Sequence, residues 1–281
     1  MGSIFMRFPE GKHKALTLSY DDGVAQDIRL IDIMKKHGLK GTFNINSGLY
    51  APEGTTNPEG KGRMSKSKCQ EVYLNSGMEV AVHGLTHPFL EQLPENLCTY
   101  EVLQDRKNLE ADFGCMIRGM AYPYGTTSDS VVESLKKCGI AYSRTVTSTE
   151  KFTIPTDWLR LPATCHHANP RLMELARNFV DNAFNRAPGL FYLWGHSYEF
   201  DRNEPNNNWG VIEEFAEFMG DREDIWYAAN IEIYDYIAAY NQLIFSMDYK
   251  KVYNPTCTTL WFETGKGAYC VKPGETVCYE F

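Results

Sequence analysis

The sequence contains no Cys-x-x-Cys pair, no cluster of Lys and Arg, no long apolar run, and no Gly-x-Gly-x-x-Gly after its first strand-like segment. Each absence excludes something. Without paired cysteines, a zinc ribbon or a thiol redox motif has no support. The eight cysteines, Cys69, Cys98, Cys115, Cys138, Cys165, Cys257, Cys270 and Cys278, read mostly as buried thiols serving as small hydrophobes. Without a basic patch, and with a net charge of −8, no nucleic-acid partner is expected. Without an apolar run of bilayer length, no membrane span is expected. The start, MGSIFMRFPEGK, has neither the basic opening nor the apolar stretch of a signal peptide, so a cytoplasmic location is expected; a secreted protein whose signal has been removed is the alternative. The missing glycine fingerprint disfavours a dinucleotide-binding fold.

What the sequence has is alternation. Strand-like segments fall at 14–19, 41–46, 78–82, 117–121, 140–144, 158–161, 190–194 and 225–228. Helix-like segments fall between them, at 28–37, 65–75, 94–113, 128–138, 170–186 and 210–219, with a last helix at 231–245. Roughly eight strands separated by helices predict a parallel sheet, and 281 residues suit a distorted (β/α) barrel better than an open sheet. After Phe245 the texture changes to Tyr, Val, Thr, Trp and Cys alternating with turn residues such as Asn254-Pro255. The expected organisation is therefore a barrel at 1–245 with a small β-strand appendage at 246–281.

In such barrels, chemistry gathers where strands end at the C-terminal face. Three strand ends here are polar: Tyr20-Asp21-Asp22-Gly23, His83-Gly84-Leu85-Thr86-His87 and Gly195-His196. Two imidazoles four residues apart and one carboxylate make a facial ligand set that leaves room for water. A turn after the first strand could bring both aspartates to the mouth, one as ligand and one as base. Taken singly, Asp-Asp-Gly is a common turn and His-x3-His a common surface pair.

Together the motifs resemble those of the polysaccharide deacetylases, carbohydrate esterase family 4 with its NodB-like deacetylase domain. Leu18-Ser19-Tyr20-Asp21-Asp22-Gly23 is similar to the first motif and His83 to His87 to the second. Tyr122-Pro123-Tyr124-Gly125 is similar to the third and Leu193-Trp194-Gly195-His196 to the last, in the family's order. The resemblance implies a divalent metal on Asp22, His83 and His87, most often zinc, with cobalt or nickel as alternatives. It implies Asp21 as general base, the Tyr124 N–H as oxyanion donor and His196 as general acid. Pro123 and Trp194 would line the substrate site. The implied activity is removal of acetyl groups from an N- or O-acetylated sugar or oligosaccharide, a hydrolase of carbohydrate metabolism.

The sequence departs from the pattern at two places. Ala121 stands where the family places an arginine that supports the base, and Arg160 is the expected substitute. The aspartate that orients the acid histidine is matched only by Asp157, beside Trp158. His167, with Cys165 and His166, is expected near the mouth. Two rival readings remain: hydrolysis of another non-peptide C–N bond, such as a small cyclic amide, and a non-catalytic carbohydrate-binding protein on the same fold.

Overall fold

The computed structural model describes residues 3–56 and 62–281. Its first ten strands are β1 (Phe5–Arg7), β2 (Lys14–Asp21), β3 (Gly41–Ile45), β4 (Glu79–Val82), β5 (Gly119–Ala121), β6 (Tyr142–Ser148), β7 (Leu161–Ala163), β8 (Cys165–His166), β9 (Gly189–Gly195) and β10 (Ile225–Tyr227). Seven helices accompany them: α1 (Asp27–Lys36), α2 (Lys66–Tyr73), α3 (Glu95–Phe113), α4 (Asp129–Lys137), α5 (Leu172–Asp181), α6 (Trp209–Met219) and α7 (Asn230–Tyr240). Ser65, Ser128 and Asn208 cap α2, α4 and α6, each accepting a backbone N–H of the first turn.

The main sheet is parallel, in the order β7-β6-β5-β4-β3-β2-β9-β8. β7 and β8 are separated only by Thr164, whose N–H donates to Tyr192 at 2.8 Å, while the Ala163 carbonyl accepts from Thr149 at 3.0 Å. That single extended run pairs β6 on one edge and β9 on the other, and so closes the ring. The barrel is distorted at β2, where Lys14–Leu16 pair β10 and Leu18–Asp21 pair β3. All eight residues of β2 are buried. Period two sends Leu16, Leu18 and Tyr20 into the core under the helices and Thr17, Ser19 and Asp21 into the barrel.

One segment expected as a strand is not one. Asp157 accepts the Leu159 N–H at 3.1 Å, and residues 158–160 form a short 3-10 turn before β7 begins. The last helix is also shorter than expected, because Ile244 and Phe245 are recruited into a strand.

The tail consists of β11 (Ile244–Phe245), β12 (Lys251–Tyr253), β13 (Leu260–Thr264), β14 (Gly267–Val271) and β15 (Thr276–Cys278). These form two small antiparallel sheets, β1-β13-β14 and β11-β12-β15, so the tail takes in a strand from the other end of the chain. The Tyr236 hydroxyl on α7 donates to the Arg7 carbonyl at 2.7 Å and accepts the Trp261 N–H at 3.0 Å, fastening both ends to the barrel. All eight cysteines are free; Cys69, Cys98, Cys138 and Cys165 are buried. No described helix is long and apolar enough to cross a membrane.

Candidate active site

Three turns build the mouth. β2 ends at Asp21, and the backbone swings to φ 85° at Asp22, which carries this side chain to the same opening. Arg63 holds the turn, donating to the Asp22 carbonyl at 2.7 Å and to its Oδ1 at 2.8 Å. β4 ends just before His83, whose N–H donates to the Ile45 carbonyl and to Asp105 Oδ2, both at 3.1 Å. His87 (φ 58°) and Tyr124 (φ 58°) also lie in the left-handed region. Non-glycine residues held there cost about 1–3 kcal/mol each, and such strain concentrates at sites where side-chain aim matters. Here it falls on three residues that face one another.

Asp22, His83 and His87 bring one ligand atom each within 4.8 Å of one another. His83 Nδ1 lies 2.8 Å from the Ala121 carbonyl, which requires a proton on Nδ1 and leaves the Nε2 lone pair unprotonated. That Nε2 is buried and has no hydrogen-bond partner. Burial keeps the imidazole's pKa below its usual value although Asp21 and Asp22 pull it upward. A neutral, tautomer-fixed imidazole beside a carboxylate and a second imidazole fits a divalent metal. The Tyr124 ring meets His87 edge-on at 4.6 Å and stacks on Phe89 at 3.8 Å, fixing the second imidazole.

Asp21 sits beside this set. Asn44 donates to its Oδ1 at 2.9 Å, and the Arg144 guanidinium donates to its Oδ2. Burial pushes the Asp21 carboxyl up, but Arg144, His83 and His196 together outweigh it and hold the group below the ordinary aspartate range. Arg144 is itself buried, bonds Ser19 Oγ at 3.2 Å and lies 4.5 Å over the Trp194 ring.

These contacts overturn the expectations for Arg160 and Asp157 and locate the remaining candidate residues. Arg160 does not reach Asp21: the 3-10 turn rotates it outward, where it pairs with Asp129 and, at 3.4 Å, with Asp157. Arg144, overlooked in the sequence, takes that place. Asp157 caps the turn and is exposed, so it does not orient His196. Trp194 is buried beneath Arg144 and against His166 rather than presented to a ligand. His167 is fully buried, its Nε2–H donating to Asn207 Oδ1 at 3.0 Å. Pro123 is buried, near Gly84 in the turn between His83 and His87.

His196 follows β9. Its Nε2 is 3.8 Å from Asp21 Oδ2 and its Nδ1 is 3.7 Å from Glu199 Oε2. Burial depresses its pKa, but Glu199 and Asp21 outweigh that and raise it above the usual imidazole value. The mouth thus brings together a ligand-like trio, an ionised carboxylate anchored by an arginine, and a protonatable imidazole.

The polysaccharide deacetylase family model matches residues 9–143, the stretch carrying Asp21, Asp22, His83, His87, Pro123 and Tyr124. Over this stretch, just under half of its length, the chain is similar to that family. Its fold is similar to that of a Mycobacterium smegmatis protein assigned as a polysaccharide deacetylase, at 16% identity and a TM-score of 0.59, over 83% of this chain and 93% of the other. It is also similar to a family 4 carbohydrate esterase from Streptomyces lividans, whose structure is a complex with acetate, at 16% identity and a TM-score of 0.51, over 77% and 93%. The match to the Streptococcus pyogenes deacetylase PplD, at 21% identity and a TM-score of 0.42, covers 46% of this chain and spans 55% of that one. No curated protein matches the chain's sequence.

Proposed function

We propose that the barrel mouth hydrolyses the acetyl group of an N- or O-acetylated sugar or oligosaccharide, with a divalent metal held by Asp22, His83 and His87. Zinc suits two imidazoles and a carboxylate; cobalt or nickel would fit the same donors. Bound there, the ion would act as a Lewis acid toward the acetyl carbonyl and make a water more acidic. The rest is the work of the chain. Asp21, ionised and fixed by Arg144 and Asn44, accepts a proton from the attacking water. The water oxygen bonds to the acetyl carbon, and the Tyr124 N–H donates to the oxygen that gains charge. His196 donates its Nε2 proton to the leaving nitrogen or oxygen as that bond breaks with its electron pair. The products are acetate and the free amine or alcohol.

The observation that carries this reading is the Arg144–Asp21 pair beside the three-donor set. Ala121 alone favours a binding protein that has lost support for its base. Arg144 supplies that support from the next strand. We take 1–245 as the hydrolytic barrel and 246–281 as an appendage without a catalytic group. The test is acetate release from a panel of acetylated mono- and oligosaccharides with added zinc, cobalt or nickel. Release that requires the metal and disappears in Asp21→Asn supports the reading. Hydrolysis of cyclic amides with no acetate released from any sugar would favour the rival C–N hydrolase.

A further inference from the structure

A cavity of about 740 Å³ lies where the two tail sheets meet. Tyr269 of β14 lines it from one sheet, Lys251 of β12 and Tyr279, just past β15, line it from the other, and the turn Asp248-Tyr249-Lys250 forms its rim. None of these residues belongs to the barrel mouth. The rim is built rather than loose. The Tyr249 N–H donates to the Ser246 carbonyl at 2.9 Å, the Ser246 hydroxyl donates to Asp248 Oδ1 at 2.6 Å, and the Ser246 N–H donates to the Lys251 carbonyl at 2.9 Å.

Two tyrosines in this cavity are not explained by folding alone. Tyr249 is held in the left-handed region at φ 54°, yet its side chain is 49% exposed. The turn bears the strain of a non-glycine residue there, and the ring is presented to the cavity rather than packed. Tyr279 is the opposite case, 4% exposed, meeting Phe262, Phe245 and Tyr269 edge-on at 5.2, 6.1 and 6.0 Å between ring centres. Its hydroxyl is buried and finds no hydrogen-bond partner among the described residues. An unpaired buried hydroxyl costs stability, and phenylalanine would fill the same aromatic box without that cost.

The lining selects its occupant. Asp248 stands with Lys250 and Lys251, so no single sign of charge dominates, which disfavours a simple anion or cation. These charged groups are exposed along the rim and would be stripped of water by an apolar helix or a lipid chain. A sugar suits both features: its C–H faces lie on tyrosine rings, and its hydroxyls bond to carboxylate, ammonium and phenol groups. The volume lies within the range of about 300–1,000 Å³ usual for small-ligand sites. We propose that this tail cavity is a second, non-catalytic saccharide site, with Tyr249 and Tyr269 as stacking rings and the Tyr279 hydroxyl taking a sugar hydroxyl as its missing partner. Its use rests on the hydrolytic reading. A chain held on the tail keeps its acetylated units at raised local concentration near the mouth, without any part in bond breaking.

The test is an amide NMR titration of the full chain with two probes, the hexamer of N-acetylglucosamine and acetylated xylo-oligosaccharides. Wild type is expected to show shifts at residues 248–251 and 269. Tyr249→Ala should weaken the affinity read from those shifts by about five- to tenfold, while turnover on a small aryl acetate stays at the wild-type rate. Tyr279→Phe should melt at or above the wild-type temperature and still bind about fivefold more weakly, a pairing that a purely structural tyrosine would not give. No tail shifts with either probe, or wild-type affinity in both variants, would overturn the proposal. So would a wild type that sediments as a dimer and a Tyr249→Ala that sediments as a monomer, which would give the cavity to a second copy of the chain. The titration needs no turnover, so the two readings fail separately. Tail shifts without acetate release from any sugar would sink the hydrolytic reading and leave the saccharide site standing; acetate release without tail shifts would do the reverse.

Discussion

Arg144 stands directly across the β5–β6 ladder from Ala121, and from there its guanidinium reaches Asp21. An arginine at position 121 and one at position 144 are neighbours on adjacent parallel strands, so either could serve the same carboxylate. Removing Arg144 leaves Asp21 buried without its cation, and breaking a buried pair from one side costs about 3–5 kcal/mol. Arg144→Met is expected to lower the melting temperature and to reduce turnover by roughly a hundredfold, about 2.7 kcal/mol in the barrier. The double variant Ala121→Arg, Arg144→Ala should regain part of that turnover. Kinetics and thermal melts of the two variants check this; wild-type turnover in Arg144→Met would separate the arginine from catalysis.

Base and acid should be distinguishable by leaving group. Asp21→Asn keeps the metal donors and is expected to lose nearly all turnover on every acetyl substrate. His196→Ala also keeps them, and is expected to lose far more on acetyl amides than on activated esters. Steady-state rates on a matched amide and aryl ester, with metal content measured in parallel, provide the check.

A buried carboxyl, Asp27, sets an acid-side pH dependence of stability. Asp27 is fully buried, accepts from Tyr73 at 2.6 Å and from Ser197 at 2.5 Å, and burial raises its pKa to about 7. Its folded-state pKa lies above the unfolded value, so the folded protein binds the extra proton. The contribution is complete below about pH 4 and is lost as pH rises toward 7, amounting to about 4 kcal/mol at most. Urea melts of Asp27→Asn between pH 4 and 8 should lack this part of the slope. A variant with the wild-type slope would assign it to other groups.

Much of the mouth was legible because strand ends are where short polar clusters interrupt buried runs: Asp21, Asp22, His83 and His196 all mark such ends. Arg144 carried a similar signal, as the last residue of the segment read as strand 140–144, but it was eclipsed by Arg160. Local pattern could not show that Asp157 would cap a turn and swing Arg160 out to Asp129. Trp194 and His167 look like binding residues in sequence, yet period two and the Gly195 gap send them inward to Arg144 and Glu199. The β1–β13 pairing joins opposite ends of the chain, where no periodicity reports a partner.

That pairing bears on truncation. Val252, Leu260, Phe262 and Val271 share a core with Phe8, Tyr236 and Ile237. Deleting 246–281 exposes this apolar surface and strips β1 of its partner strand. The expected outcome is aggregation or a lowered melting temperature, measured by size-exclusion chromatography and thermal melts. A soluble, stable truncation that holds metal and lacks activity would instead place a catalytic contribution in the tail.

The central claim is that Asp22, His83 and His87 hold a metal on which sugar deacetylation depends. Its most direct test is metal stoichiometry together with acetate release, on wild type and His87→Ala, after stripping with chelator and reloading with zinc. The account predicts about one zinc per wild-type chain, release of acetate from an acetylated sugar only after reloading, and neither in His87→Ala. Equal zinc in both proteins, or acetate release by the stripped enzyme at the reloaded rate, would contradict it.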